Sequence, residues 1–187
     1  MRIIGGTWRG LTLASLGKGD SAAHLRPTSD RVRESLFNLL QNGPYDDPVE
    51  GARVLDLFAG TGALGLEALS REARCACFVD SGAKAGALLA ENIARTRSGD
   101  RARALRRDAL KLGPNPEEPF GLIFVDPPYG KGLGERALLA AARGGWIADG
   151  ALIVFEEGKL IAAPDGFTLL DHRRYGDTHI HILRYAA

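Results

Sequence analysis

The chain lacks most of the features that commit a protein to an unusual environment. Two cysteines in 187 residues, Cys75 and Cys77, are too few for a disulfide framework, and one such pair falls short of the four ligands of a structural zinc site. Their apolar surroundings mark them as small hydrophobes on a buried strand. No apolar run approaches the roughly 18 residues that argue for a membrane span. The opening Met1-Arg2-Ile3-Ile4-Gly5-Gly6 lacks the apolar stretch of a signal peptide, so a cytoplasmic protein is expected. There is no excess of one charge, the net being +1, and no repeat or low-complexity tract. With 45% apolar residues, the chain has enough to bury for one globular domain.

What is present alternates. Residues 2–4 and 11–14 read as short extended segments around Gly5, Gly6 and Gly10, a small N-terminal hairpin, and 17–23 as a loop. Thr28 or Ser29 can cap a helix to about residue 41, in which Val32, Leu36, Leu39 and Leu40 recur at helical spacing. Pro44 and Pro48 mark a linker over 43–51. Strands are then expected at 53–58, 74–80, 102–106, 122–126 and 151–156. Helices are expected at 62–71, 84–97 and 134–143, with a short turn near 109–112. Two last strands, 167–171 and 179–185, flank the turn at Gly176-Asp177. This alternation predicts an α/β fold, a doubly wound, mostly parallel Rossmann-like sheet. Its C-terminal strand should be antiparallel, because parallel neighbours need a long crossover. A single domain over 1–187 is expected, with 1–24 as an N-terminal extension and 25–187 as the core.

Charge is uneven locally. Residues 1–40 carry Arg2, Arg9, Lys18, Arg26, Arg31 and Arg33 against Asp20, Asp30 and Glu34, and residues 95–107 carry six arginines against Asp100. Clustered arginine can neutralise phosphates. It is also the ordinary solvated cation of a chain with 19 Arg and 5 Lys.

Two motifs carry chemistry. The first is Val54-Leu55-Asp56-Leu57-Phe58-Ala59-Gly60-Thr61-Gly62-Ala63-Leu64-Gly65, a strand, a glycine turn and a helix. Gly60, Gly62 and Gly65 permit a tight turn, close approach to a ligand and close helix packing. The helix N-terminus then suits an anionic group. Asp80 lies 20 residues beyond Gly60, where an acid that binds ribose belongs. A dinucleotide oxidoreductase therefore competes for this motif, as does a glycine turn without a ligand. Asp56 argues for a ligand with a positive amino group, such as the methionine end of S-adenosylmethionine, since a carboxylate repels a pyrophosphate. Asp108, after the third strand, can accept from an adenine amine with the Ala109 N–H donating to the ring; alternatively it caps the next turn.

The second motif is Asp126-Pro127-Pro128-Tyr129, directly after the apolar run Leu122-Ile123-Phe124-Val125. Such strand ends form the working edge of open α/β sheets. A carboxylate, two rigid prolines and an aromatic ring make a compact clamp for a flat, amine-bearing ring. The same residues also make an ordinary tight turn.

In this order the motifs resemble the Rossmann-like S-adenosylmethionine-dependent amino-methyltransferases. More closely, nearly the whole chain resembles the bacterial 16S rRNA guanine-N2 methyltransferases of the RsmD type. The resemblance rests on residues 2–10 (Arg2 to Gly10), 25–38 (Leu25 to Asn38), 56–65 and 126–129, and on Tyr175-Gly176-Asp177-Thr178. It implies methyl transfer from S-adenosylmethionine to guanine 966 of 16S rRNA during small-subunit maturation. Asp126, Pro127, Pro128 and Tyr129 would be catalytic. Asp56, Phe58, Gly60, Thr61, Gly62, Gly65, Asp80, Asp108 and Ala109 would hold the cofactor, with Asp80 where the family often has Glu. Arg2, Trp8, Arg9, Arg26, Arg31 and Arg33 are the expected RNA contacts; Arg31 or Arg33 can instead reach the cofactor carboxylate or cap local structure. The implied partner is 16S rRNA or an assembling 30S subunit, with no metal and a monomeric protein. Other amine targets, adenine N6 or a protein glutamine, suit the same clamp, and a non-catalytic RNA-binding module remains a further alternative.

Overall fold

The structure is a computed structural model that describes residues 1–15 and 29–187. Arg26, the expected loop at 17–23 and Thr28 lie outside the described residues.

Helix α1 (Asp30–Asn42) starts where Ser29 Oγ accepts the Val32 N–H at 3.3 Å. It ends as the Gly43 N–H returns to the Leu39 carbonyl at 2.9 Å. There follow β1 (Arg53–Leu57), α2 (Ala63–Ser70), β2 (Cys75–Asp80), α3 (Ala83–Thr96) and β3 (Ala102–Arg106). One turn of 3-10 helix (Ala109–Lys111) leads to β4 (Phe120–Val125), α4 (Leu133–Arg143) and β5 (Ile147–Glu157). Strands β6 (Phe167–Tyr175) and β7 (Thr178–Tyr185) close the chain. The sheet order is β3-β2-β1-β4-β5-β7-β6, parallel through β5, with β7 antiparallel to both neighbours. This is the doubly wound, mostly parallel sheet with an antiparallel C-terminal strand that the alternation predicts.

Two elements run longer than expected. β5 begins at Ile147, where a register shift lets it pair with Phe120 before the main ladder starts at Leu152. β6 continues to Tyr175 through the polar run Asp171-His172-Arg173-Arg174, because its pairing with β7 runs to Thr178 and neither of its faces is buried beyond Phe167.

Successive side chains of a strand face opposite ways, so the sheet has two cores. Val54, Phe78, Leu122, Phe124 and Val154 meet α1, α2 and Leu89 of α3 on one face. Leu55, Val79, Ile123, Val125 and Phe155 meet α4 and the 3-10 turn on the other. Cys77 lies in the second core, and burial pushes its thiol up to about 12.

The N-terminal hairpin is reduced to one antiparallel bridge, Arg2 to Thr12, and it packs into the body of the domain. Ile3 and Leu13 are core residues. Glu67, fully buried in α2, accepts the Ile4 and Gly5 N–H groups at 2.7 and 2.8 Å and the Arg71 Nε–H at 2.8 Å. Among the described residues, no helix is long and apolar enough to cross a membrane.

Candidate active site

The parallel strands end along one edge. There Leu57 of β1 is the register partner of Val125 of β4, and the Asp126 N–H donates to the Leu57 carbonyl at 3.4 Å. This pairing sets the glycine turn after β1 beside the proline corner after β4. A cavity of about 1160 Å³ opens over both. Asp56, Phe58, Gly60, Thr61, Asp80, Asp108 and all four residues from Asp126 to Tyr129 line it. Gly62, Gly65 and Ala109 are buried and do not reach the cavity surface. A further set of lining residues carried no sequence signal: Met1, Ser81, Lys84, Leu110, Lys131 and Leu133.

The turn is tight. Phe58 (φ 61°), Gly60 (φ 56°) and Gly62 (φ 79°) take the left-handed conformation, and Phe58 does so against its side chain's preference. Strain of this kind persists where the surroundings enforce it: the Ala59 N–H donates to Val79 O at 3.1 Å and the Gly62 N–H to Ala59 O at 2.7 Å. Gly65 is required by packing. A Cβ there would sit 2.4 Å from the Phe78 ring and 3.1 Å from Asp56 Oδ2.

Carboxylates organise the cavity wall. Asp56 is buried and accepts the Gly65 N–H at 2.9 Å. Burial raises its pKa from 3.8 to about 7, with the Gly65 hydrogen bond opposing and Asp80 adding to the rise. Asp80 accepts the Gly60 N–H at 2.9 Å and the Gly82 N–H at 2.7 Å, tying the glycine turn to the turn after β2. Asp108 accepts the Leu110 N–H at 2.9 Å, so it caps the 3-10 turn and lines the cavity at once.

At the proline corner, the Tyr129 hydroxyl donates to Glu156 and lies 3.4 Å from Thr178 Oγ1. Burial, reinforced by the negative charge of Glu156, raises the phenol's pKa and keeps it a donor. The ring lies on Gly158, whose added Cβ would come within 2.8 Å of it. Glu157 accepts the Gly130 and Gly158 N–H groups at 2.9 and 2.7 Å. Sequence reasoning missed Glu156 and Glu157. The available signal was a Glu-Glu pair ending an apolar strand next to β4.

The expected RNA contacts separate in space. Arg2, Arg9 and Arg31 are exposed. Trp8 is half-buried at the opposite edge of the sheet, its backbone N–H donating to Ser70 Oγ at 2.9 Å and its ring under the Arg101 guanidinium at 5.5 Å. Arg33 is fully buried and lines the cavity, so it presents no surface to a large partner. The signal for this was available: 33, 36, 37 and 40 trace the inward stripe of α1. Among the described residues, no group of three or more His, Cys, Asp or Glu is placed to hold a metal ion.

A family model described as Conserved hypothetical protein 95 matches residues 1–184. Ribosomal RNA small subunit methyltransferase D of Escherichia coli (strain K12) is 41% identical over 172 residues, 90% of this chain and 82% of the relative. The protein of that name from Haemophilus influenzae is 35% identical over 181 residues, 94% of this chain and 89% of its own. The solved structure of yhhF from Escherichia coli matches with a TM-score of 0.81 at 35% identity, covering 100% of this chain and 98% of that one.

Proposed function

This chain belongs to the Conserved hypothetical protein 95 family, that of ribosomal RNA small subunit methyltransferase D, and from that premise we propose that it is an S-adenosylmethionine-dependent methyltransferase acting on small-subunit rRNA. The observation that carries the reading is the meeting of the glycine turn and the Asp126–Tyr129 corner on one cavity. The antiparallel β7 between β5 and β6 supports it, because the common dinucleotide-binding sheet runs 3-2-1-4-5-6.

The residues present fit the cofactor. Asp56, buried and resisting ionisation, suits an ammonium group that would restore its charge. The backbone turned at Phe58, Gly60 and Gly62 admits a ligand close to the chain. Asp80 and Asp108 are acceptors for ribose hydroxyls and for an adenine amine. S-adenosylmethionine supplies an electrophilic methyl group when bound.

The finer target is the exocyclic N2 of a guanine in 16S rRNA, with guanine 966 the family position, in free rRNA or an assembling 30S subunit. That amine is a poor nucleophile, because its lone pair is delocalised into the ring. Asp126 and the Pro127 carbonyl accept its two hydrogens, which favours a tetrahedral nitrogen and stabilises the charge developing there. The prolines hold these acceptors rigid. Tyr129 stacks on the base, which must first leave its helix. Arg2, Arg9 and Arg31 meet the RNA backbone, and the protein acts as a cytoplasmic monomer without a metal.

Asp126→Ala should bind S-adenosylmethionine within about threefold of wild type yet lose methyl transfer by about 100-fold or more, since one such electrostatic contact is worth that much. Transfer of a tritiated methyl group to 16S rRNA, 30S particles and DNA reads the outcome. Wild-type turnover by the variant, or a preference for DNA, would refute the assignment.

A further inference from the structure

The loop that leaves the proline corner is joined to the loop after β5 at a single atom. One oxygen of the buried Glu157, Oε1, accepts the Gly130 N–H at 2.9 Å and the Gly158 N–H at 2.7 Å. The Tyr129 ring packs on Gly158, where an added Cβ would come within 2.8 Å of the ring, so the second loop borders the aromatic end of the corner. Each glycine is followed by an exposed lysine, Lys131 in one loop and Lys159 in the other. The shared carboxylate therefore brings the stems of two cations to neighbouring positions at the mouth of the cavity, which Lys131 lines.

The acids of this corner leave those charges open. Glu157 is committed to the two amides, and Glu156 is buried and accepts the Tyr129 hydroxyl. Neither lysine has an ion-pair partner among the described residues. Leu160 comes next and is 59% exposed, more than any other large apolar side chain among the described residues. The chain re-enters the core at Ile161, whose N–H donates to Nε2 of the buried His181 at 3.2 Å. Residues 158–160 are thus a short projection anchored at both ends, which holds a cation and an apolar side chain out in water beside the cavity.

We propose that Lys131, Lys159 and Leu160 form the surface that holds the RNA strand next to the target nucleotide. The lysines contact the phosphates on either side of that nucleotide. Leu160 covers the neighbouring base, which loses its stacking partner when the target enters the cavity. The chemistry matches a nucleic-acid strand, which repeats one negative charge per nucleotide and exposes the apolar face of a base wherever stacking is broken. The inference rests on the function proposed above and deepens it by naming an RNA surface beside the proline corner, separate from Arg2, Arg9 and Arg31.

Binding of 16S rRNA and of 30S particles in a salt series tests it. A phosphate contact contributes about 0.7 to 0.9 to the slope of log affinity against log salt. The double variant Lys131→Gln, Lys159→Gln should flatten that slope by about 1.4 to 1.8 and weaken binding about 20- to 60-fold in about 0.1 M salt. KM for the RNA should rise with kcat unchanged, because the lost contacts are the same in the ground and transition states. The double variant Lys131→Arg, Lys159→Arg should keep the wild-type slope. Arg143→Gln, which removes an exposed charge at the far end of α4, should leave it unchanged. Leu160→Ala should raise KM about three- to tenfold without moving the slope. A wild-type slope in the double glutamine variant, or a flattening of the same size in Arg143→Gln, overturns the proposal, and a wild-type KM in Leu160→Ala overturns its apolar part. If wild type methylates neither RNA, the function proposed above fails; if it does and the slope ignores both lysines, only this inference falls.

Discussion

Replacing Asp56 with asparagine should stabilise the protein and weaken its cofactor site, and the two effects have one cause. Asp56 is buried beside Asp80, and its pKa stands at about 7 instead of 3.8. The folded state therefore binds this proton more tightly than the unfolded chain does. Stability from this group is complete below the unfolded value and is lost as pH rises through about 7. Each pH unit of displacement is worth about 1.4 kcal/mol, so the whole effect is about 4 kcal/mol. Asparagine cannot ionise, and its Oδ1 can still accept the Gly65 N–H. Without cofactor, the stability gap between Asp56→Asn and wild type should widen by about 3 kcal/mol between about pH 4.5 and pH 8. For a domain of this size that corresponds to about 10 °C in melting temperature. Denaturation in a pH series measures it, and the titrations of groups remote from Asp56 cancel in the difference. With cofactor, wild type should release about half a proton per binding event near pH 7, read from calorimetry in buffers of different ionisation enthalpy. A gap that stays constant with pH would refute the burial argument, whatever happens to activity.

Two further outcomes test the surroundings of the site. Tyr129→Phe keeps the ring but takes from Glu156 the hydroxyl that donates to it. It should lower stability by about 1–3 kcal/mol while turnover falls less than about tenfold; a turnover collapse with unchanged stability would give the hydroxyl a chemical role instead. Gly6→Ala places a Cβ 1.8 Å from the Ser70 carbonyl oxygen at a φ of 71°, so the N-terminal hairpin must move off α2. Amide exchange should accelerate at Ile4 and Gly5, whose N–H groups Glu67 holds; unchanged protection there would contradict the close approach.

The edge that lines the cavity was legible because its signals are local. An apolar run followed by Asp-Pro-Pro-Tyr, and a strand followed by Gly-x-Gly-x-x-Gly, state where the backbone must turn and which polar groups sit at the turn. Arg33, Glu67, Glu156 and Glu157 were not read as buried, because charged residues are assigned to the surface by default. Their burial depends on long-range partners: Glu67 on the amides of Ile4 and Gly5, and Glu156 on Tyr129. Trp8 reads as a stacking platform by residue type; its position at the other end of α2, with the Arg101 guanidinium over its ring, follows from contacts with residues far along the chain.

Periodicity and turn chemistry were sufficient to establish the order of strands and helices, the parallel sheet and the two motifs at its carboxyl edge, since each acts within a few residues. The side on which a charged residue lies was settled by folding, because burying charge is tolerated only where distant chain segments supply its partners. The adjacency of β1 and β4 belongs to the same class: 68 intervening residues separate Leu57 from its hydrogen-bond partner Asp126, and it is their pairing in the sheet that turns two separate motifs into one cavity.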